Sequence, residues 1–520
     1  MVVDVRAGDA KSAAYALPDT TARGAPPADA FAGHLGPLNR DTLGFYESLL
    51  PYGDLVRLRF LAWPGWALNH PDLIEDVLVR QAASFQKPIG LKRTRRLLGR
   101  GILVADGDAW RRQRRLAMPA FHRARVATYV SAMAGIADAH LAQWADGDVR
   151  GVVHEMTAIT LDIATRTLFG ADAGPFARAV ETILRNSDAM VHRRLTSWEF
   201  LVPDTWPLPQ YRDFHRDAKA LDEIVFGIIR QRRAAAADTG DLLSMYLQSR
   251  DEDGSSLDDN LLRDEVMTLL LAGHDTTALL LSWGLWLLMR HPDAESRVRR
   301  EVDEVLGGPG GRAATFDDLP ALREVRFAID ETLRLYPPAF QNSREATVPV
   351  TLGGVTLPAR STVLWSTWAV HRDPRWFPDP LAFRPERFAE AGPARPRLAF
   401  HPFGAGPRMC IGNTFAIAEA TVVLAEVLRR FRLEVLPGQD VRPFPAFTLR
   451  LDREVYARVR LRRALGSDHH RPARRRHLRL RGDLEVPTRI RRLARRRRGS
   501  PGRRHRRLPP HRLLRNHGGQ

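Results

Sequence analysis

The sequence contains a single cysteine, Cys410, and the segment around it is suited to holding a ligand. The segment reads HPFGAGPRMCIGNTFAIAEA, with glycines at 404, 406 and 412 before an Ala-rich stretch that is predicted to be helical. The dipole at the start of that helix and the charge of Arg408 both favour the thiolate. A thiolate in a protected glycine-rich loop is what a haem iron requires as an axial ligand. A small buried apolar residue is the other common role of a free cysteine, and the loop by itself leaves both open.

A second candidate lies at the centre of the longest apolar stretch, Val266 to Met289. Residues 272–277 read AGHDTT, which places a glycine, an acid and two hydroxyls in an otherwise apolar helix. Glycine costs a helix roughly 1 kcal/mol relative to alanine, and a threonine hydroxyl that bonds a backbone carbonyl can open a groove for water. Asp275 and Thr276 beside such water can pass protons to an oxygen ligand. A kinked core helix with satisfied polar groups is the alternative.

Two further pairs of residues have helical spacing. Glu331 and Arg334 lie three positions apart, so they share one face of a helix and can form an ion pair. A lone pair of this kind is more typical of a surface, where it is worth about 0.5 kcal/mol or less. Trp110 and Arg114 lie four positions apart and also share a helical face.

The cysteine loop, taken as a pattern, resembles the haem-binding signature of the cytochrome P-450 family. The signature F-x-x-G-x-R-x-C-x-G is matched at its five fixed positions, which are Phe403, Gly406, Arg408, Cys410 and Gly412. Three further features of the family occur in the expected order, and the resemblance spans about residues 38–460.

The resemblance implies roles for residues in other segments. AGHDTT matches the family's oxygen-activation motif, A/G-G-x-D/E-T-T/S, which implies that Asp275 and Thr276 deliver protons. Glu331 and Arg334 resemble the family's buried E-x-x-R, which pairs with an arginine of a PERF-like segment, here Arg387. The role of that triad is structural.

The resemblance also implies how haem b is bound. Cys410 is then the axial ligand of the iron. Trp110 and Arg114 resemble the family's W-x-x-x-R, in which an indole N–H and a guanidinium bind a haem propionate. The other cofactor-binding residues implied are Arg344, Arg408 and Phe403.

The activity implied is that of a monooxygenase, which inserts one oxygen atom from O2 into a C–H bond of a lipophilic small molecule. Terpenoids, polyketides and fatty acyl chains all suit the apolar pocket that we expect. Its walls are predicted by position to include Leu98, Ile102, Leu103, Leu271, Ala272, Ala339, Phe340 and Phe447. Apolar side chains at these positions are also what a plain core would use.

The electrons are expected to come from NAD(P)H through separate proteins. Residues 461–520 are too few for a flavin or nicotinamide domain, which implies a ferredoxin with its reductase, or a flavodoxin. Direct use of peroxide is the alternative, but members of the family that use it typically lack the acid–threonine pair that is present here as Asp275 and Thr276. A monomer is expected.

The 520 residues are 44% hydrophobic and 27% charged, which is typical of a globular protein with a substantial core. Apolar spacing predicts a mainly α fold with small β-sheets. The resemblance implies the cytochrome P-450 fold, a single large domain with the haem between two long helices. This domain is predicted over residues 31–462, after a flexible lead over 1–30 and before an Arg-rich, low-complexity and disordered tail over 463–520.

The formal net charge of +19 is concentrated in that tail. Residues 461–520 hold 21 arginines and three acidic residues, whereas the first 460 residues carry 58 basic and 57 acidic ones. A dispensable tail, or one that arose from an altered reading frame, is favoured over binding to nucleic acid or anionic lipid. No signal peptide is evident, and Asp275 inside the apolar stretch argues against a membrane span. A cytoplasmic protein without a transmembrane anchor is expected.

Overall fold

The computed structural model of the chain describes residues 26–30, 32–61, 63–88, 91, 98–172, 209–235, 240–249, 257–389 and 395–462. Most of the predicted lead and the whole arginine-rich tail lie outside the described residues, so the interpretations of those two segments stay predictions. The described residues form a mainly helical protein with small sheets, as the sequence predicts.

Thirteen α-helices lie in the part of the chain that the structure describes. The first six are α1 (Leu35–Arg40), α2 (Thr42–Leu49), α3 (Pro71–Glu75), α4 (Gly107–Ala117), α5 (Arg123–Leu141) and α6 (Val152–Phe169). The others are α7 (Pro209–Ala235), α8 (Leu242–Gln248), α9 (Asp259–Arg290), α10 (Pro292–Leu306), α11 (Arg323–Leu335), α12 (Thr367–Val370) and α13 (Asn413–Arg430). The helix α13 covers the Ala-rich stretch after Cys410 that the sequence predicts to be helical.

The strands of the described residues form four small sheets. A five-stranded sheet has the order β1 (Leu55–Phe60), β2 (Trp63–Leu68), β8 (Thr362–Trp365), β5 (Asn342–Ala346) and β3 (Phe85–Gln86). A three-stranded sheet has the order β4 (Val149–Gly151), β12 (Tyr456–Leu461) and β9 (Phe431–Val435). Two hairpins are formed by β6 (Val350–Leu352) with β7 (Val355–Leu357), and by β10 (Pro443–Pro445) with β11 (Leu449–Leu451). Only the β2–β8 pairing among these is parallel.

The 32-residue helix α9 runs through the core. It begins after Asp258, whose carboxylate caps it by accepting the Leu261 N–H at 2.8 Å. It ends at His291, immediately before Pro292. Among the helices of the described residues, α9 is the one that is long and apolar enough to cross a membrane. However, 72% of its most apolar 18-residue window is buried inside the protein. Its neighbours include α6, α11 and α13, which is the placement of a core helix.

A buried network of ion pairs and hydrogen bonds links α11 to the irregular segment over residues 371–387. The Glu331 carboxylate accepts from Arg334 at 2.7 and 2.8 Å and from Arg387 at 2.9 Å. The side chains of Glu331 and Arg334 are both 0% exposed. Arg334 also donates to three backbone carbonyls between residues 371 and 382, at 2.7–3.1 Å. The structure therefore brings the three residues of the predicted triad together, in the interior rather than on the surface.

Candidate cofactor site

The cysteine loop is folded tightly directly before α13. The Cys410 N–H donates to the carbonyl oxygen of Phe403 at 2.9 Å, which turns the loop back on itself. Gly404 and Gly406 have φ angles of 70° and 68°, in the left-handed region that favours glycine. A Cβ at position 406 would also lie 1.9 Å from the carbonyl oxygen of Leu78. Glycine is therefore required for the loop to approach the rest of the protein this closely.

Cys410 is accessible to solvent and at the same time surrounded by protein atoms. Enough protein atoms surround its thiol that burial raises the pKa of that thiol. The Gly412 N–H and the charge of Arg114 oppose that rise in pKa with smaller effects. The helix terminus acts in the predicted direction, because the Gly412 N–H at the start of α13 lowers the thiol pKa, but burial is the larger effect and the net pKa is raised. The Arg408 guanidinium instead donates to Asp106 at 2.7 Å. Binding of a metal cation by this thiol would therefore release a proton.

The helix α4 brings the predicted Trp110–Arg114 pair to the cysteine loop. Arg114 Nη1 donates to the carbonyl oxygen of Met409 at 2.8 Å, across 295 positions of sequence. Arg114 Cζ lies 5.9 Å from the centroid of the Trp110 ring, and Arg408 Cζ lies 4.4 Å from it. Two guanidinium groups and an indole thus gather beside the residue that precedes Cys410.

Two more basic side chains, Arg344 and Lys87, extend this cluster. Arg344 on β5 is buried, and burial, followed by repulsion from Arg408, lowers its pKa to about 10. Lys87, which the sequence analysis does not single out, is a neighbour: burial lowers its pKa well below the usual value, and both arginines lower it further. Asp106 is the acid whose charge opposes these shifts. Three basic side chains, Arg344, Arg408 and Lys87, thus interact with the single carboxylate of Asp106, so a dianionic ligand would complement them.

In the middle of α9, side-chain hydroxyls bond to backbone carbonyls. Thr276 and Thr277 each donate a hydroxyl to the carbonyl four residues earlier, at 2.8 and 3.1 Å. The carbonyl of His274 accepts a hydroxyl from Thr160 of α6 at 3.1 Å. Ala272 is exposed, in a helix that is otherwise buried or half-buried between residues 261 and 289. The helix is continuous over Asp259–Arg290, so the groove for water that the glycine and the threonines predict stays a prediction.

The carboxylate of Asp275 is held by two residues that sequence reasoning missed. Thr448 Oγ1 donates to it at 3.1 Å, and Arg450 Nη2 donates to it at 2.8 Å. Both belong to the β10–β11 hairpin, which lies 173 and 175 positions later in the sequence. No local motif could have indicated this pairing, since it depends on where the hairpin folds.

The structure separates the eight predicted pocket residues into two groups. The half-buried or exposed ones are Ile102, Leu103, Leu271, Ala272, Ala339 and Phe447, and their placement on a pocket wall stays a prediction. Leu98 is buried in the main core. Phe340 is 0% exposed and packs with Leu43, Trp368 and Leu449. The last two assignments are therefore corrected from pocket wall to core, because neighbouring apolar side chains cover them.

The loop before α4, which carries two of the predicted wall residues, is held against α9. The Arg100 N–H donates to the Asp264 carboxylate at 2.8 Å, and Gln113 Nε2 donates to the Arg100 carbonyl at 2.8 Å. A Cβ at Gly101 would lie 2.2 Å from Thr268 Oγ1. The close packing allows only glycine there, so α9 itself fixes the path of this loop.

The chemistry of the gathered groups fits a haem. Among the described residues, no group of three or more His, Cys, Asp or Glu side chains is placed to hold a bare metal ion. One accessible thiol suits a metal whose other ligands come from a macrocycle. The cation cluster suits the two propionates of that macrocycle, since charge-assisted hydrogen bonds to carboxylates are strong.

Comparison with known proteins agrees with this assignment. The family model described as Cytochrome P450 matches residues 49–455. The chain therefore belongs to the cytochrome P-450 family, and the predicted fold class is confirmed. It is a monooxygenase of that family, with haem and O2 as the implied cofactor and co-substrate.

Three relatives come from Streptomyces. Cyclooctat-9-en-7-ol 5-monooxygenase of Streptomyces melanosporofaciens is 37% identical over 433 residues, which cover 82% of this chain and 93% of the relative. Cyclooctatin synthase of the same species is 38% identical over 422 residues, covering 80% and 91%. Pentalenene oxygenase of Streptomyces avermitilis is 34% identical over 441 residues, covering 84% and 97%.

Proposed function

We propose that the protein hydroxylates a polycyclic terpenoid at an unactivated C–H bond. The observation that carries this substrate class is the set of three relatives, each similar over most of its length and named for oxygenation or synthesis of such compounds. The exposed Ala272 in the middle of α9 supports it, since an apolar surface there suits a hydrocarbon skeleton. Polyketides and fatty acyl chains are the competing substrate classes.

In this proposal the chain holds the cofactor from two sides. A haem bound through the Cys410 sulfur supplies the activation of O2, which the thiolate assists by electron donation. Trp110 and Arg114 of α4 bind one propionate by charge-assisted hydrogen bonds. Arg344, Arg408 and Lys87 add the positive charge that two carboxylates neutralise. Phe403 fixes the loop through its carbonyl oxygen.

The polar residues of α9 are proposed to control protons. The Thr276 hydroxyl donates to the carbonyl of Ala272, so its oxygen lone pairs remain able to accept a hydrogen bond from water. The Asp275 carboxylate lies one position earlier and can take up and release a proton. The apolar residues Leu270 and Ala278 on either side of this segment are buried, which confines proton entry along α9 to the segment between them.

The electron donor is proposed to be a separate ferredoxin with its reductase, or a flavodoxin, that is reduced by NAD(P)H. Arg111 and Arg115 on α4 are exposed beside the cysteine loop and could face an acidic partner, although Arg111 also pairs with Asp108. A groove of about 320 Å³ near Phe403 is lined by two more arginines, Arg123 and Arg326. A monomeric cytoplasmic protein completes the proposal.

Spectral titration tests the substrate class. The ferric protein is titrated with sesquiterpene and diterpene hydrocarbons and alcohols, and with matched fatty acids and polyketide lactones as the comparison panel. We expect the shift to the high-spin spectrum with at least one terpenoid, at a dissociation constant at least about tenfold lower than for the other classes. Hydroxylated product from that terpenoid with a surrogate ferredoxin system completes the test. A preference for fatty acids or lactones would overturn the assignment.

Replacing Thr276 with alanine tests the proton-relay assignment. We expect the variant to bind haem normally but to divert electrons into peroxide, so that product per NAD(P)H falls by roughly tenfold or more, since a positioned proton donor is lost. Peroxide and product are measured together in the reconstituted system. Thr276→Ser keeps the hydroxyl and is the matched control, for which near-normal coupling is expected. Unchanged coupling in the alanine variant would show that Thr276 does not deliver protons.

A further inference from the structure

The acid of the AGHDTT segment is bound at both of its oxygens by the β10–β11 hairpin. Thr448 Oγ1 donates to Asp275 Oδ2 at 3.1 Å, and Arg450 Nη2 donates to Asp275 Oδ1 at 2.8 Å. Two donors on separate oxygens fix both the position of a carboxylate and the rotation about its last side-chain bond. Asp275 is therefore held in one orientation.

The environment makes this contact stronger than a surface ion pair. The Asp275 side chain is 19% exposed and the Arg450 side chain 22%, and Thr448 is buried. Salt and water screen such a pair less than they screen an exposed one. By contrast, Arg453, three positions further along, is 57% exposed and pairs with Asp452 at 2.8 Å.

The hairpin is also fixed to α9 at a second point. The indole N–H of Trp283, eight residues beyond Asp275 on the same helix, donates to the carbonyl oxygen of Leu449 at 3.3 Å. The Leu449 N–H donates to the carbonyl oxygen of Pro338 at 3.0 Å. Strand β11 is thus held in place independently of Asp275, so that its side chains can act as a rigid support for the carboxylate.

We propose that Arg450 and Thr448 are positioning residues for proton delivery, because they hold the Asp275 carboxylate beside Thr276. The proposal rests on the monooxygenase function and on the relay role of Asp275 set out above. The β10–β11 hairpin, which lies far along the chain from α9, then completes the relay. The positive charge of Arg450 balances the negative charge of the Asp275 carboxylate before that carboxylate is protonated. Neither residue touches the reacting atoms in this account.

The test compares Arg450→Gln and Thr448→Val with wild type in the reconstituted, haem-loaded enzyme. For Arg450→Gln we expect roughly a tenfold loss of product per NAD(P)H with a matching rise in peroxide, because a charge-assisted hydrogen bond is removed. The solvent deuterium isotope effect on product formation should increase, since proton delivery becomes slower. Thr448→Val should show the same changes to a smaller extent. Arg450→Lys, which keeps the charge, should recover part of the coupling.

A double-mutant cycle separates positioning from simple stabilisation of the hairpin. In an Asp275→Asn background, Arg450→Gln should change coupling by less than about twofold, since no carboxylate is left to position. Arg453→Gln, the exposed arginine nearby, is the matched control and should leave coupling and the isotope effect unchanged. An equal loss in both backgrounds would show that Arg450 acts through the hairpin alone, and unchanged or faster product formation in Arg450→Gln would overturn the proposal.

An infrared measurement gives a readout that does not depend on turnover. The carboxylate band of Asp275 is obtained as the difference between spectra of wild type and Asp275→Asn, both loaded with haem and unreduced. We expect this band to shift in Arg450→Gln and to stay in place in Arg453→Gln; an unmoved band in Arg450→Gln would contradict the contact. If wild type itself lacks the thiolate-type carbon monoxide spectrum, the proposed function fails. If that spectrum and product are present but Arg450→Gln matches wild type, only the positioning role fails.

Discussion

Replacing Cys410 with serine is expected to abolish the thiolate-type, red-shifted Soret band of the reduced carbon monoxide complex and to reduce product formation to background. A serine hydroxyl is a far weaker acid than a thiol and donates much less electron density to iron, so O–O cleavage loses its assistance. Absorption spectra of the dithionite-reduced protein under carbon monoxide, with haem content measured separately, provide the check.

The control for this variant keeps the loop but changes a neighbouring side chain. Met409 is 37% exposed, and its backbone carbonyl accepts from Arg114. Met409→Leu preserves that carbonyl and should retain the thiolate spectrum. If Cys410→Ser also retains it, or if the iron of wild type proves to be held by histidine, Cys410 is not the axial ligand.

Replacing Glu331 with glutamine is expected to destabilise the protein by about 3–5 kcal/mol, because it leaves two buried arginines without their carboxylate. Glu331 and Arg334 are completely buried, and Arg387 shares the same carboxylate at 2.9 Å. The free energy of unfolding from urea denaturation, followed by circular dichroism, measures the effect. Loss of haem during purification is expected to accompany it.

A surface carboxylate on the same helix provides the comparison. Glu324 at the start of α11 is 30% exposed at its side chain and lies 3.4 Å from Arg297. Glu324→Gln should cost about 1 kcal/mol or less, as is usual for a partly exposed pair at a helix N-terminus. A similarly small cost for Glu331→Gln would mean that the network does not stabilise the fold.

Local sequence patterns predicted the parts of the site in which neighbours along the chain act together. Glu331 and Arg334 pair because their spacing places them on one helical face, and the structure adds that the pair is interior. Thr276 donates to the carbonyl four residues earlier, which follows from helix geometry alone. The glycines around Cys410 predicted a tight loop, and its left-handed φ angles agree.

Local sequence patterns could not predict contacts between groups that come together only through tertiary folding. Lys87 carries no motif, and its presence as one of only four lysines in the chain was the sole available signal. Arg450 reaches Asp275 across 175 positions because the hairpin folds onto α9. Phe340 looks like a pocket residue by position but is enclosed by side chains from distant segments.

The sequence by itself determined the family and the fold class, and it predicted the cysteine ligand and the acid–threonine segment, because each depends on residue types at fixed local spacing. Only the tertiary structure decided the electrostatics. Burial reversed the expected direction of the Cys410 pKa, and the approach of Arg344 to Lys87 created a cluster short of negative charge. Desolvation and charge–charge interactions depend on distances through space, which local spacing along the chain does not fix.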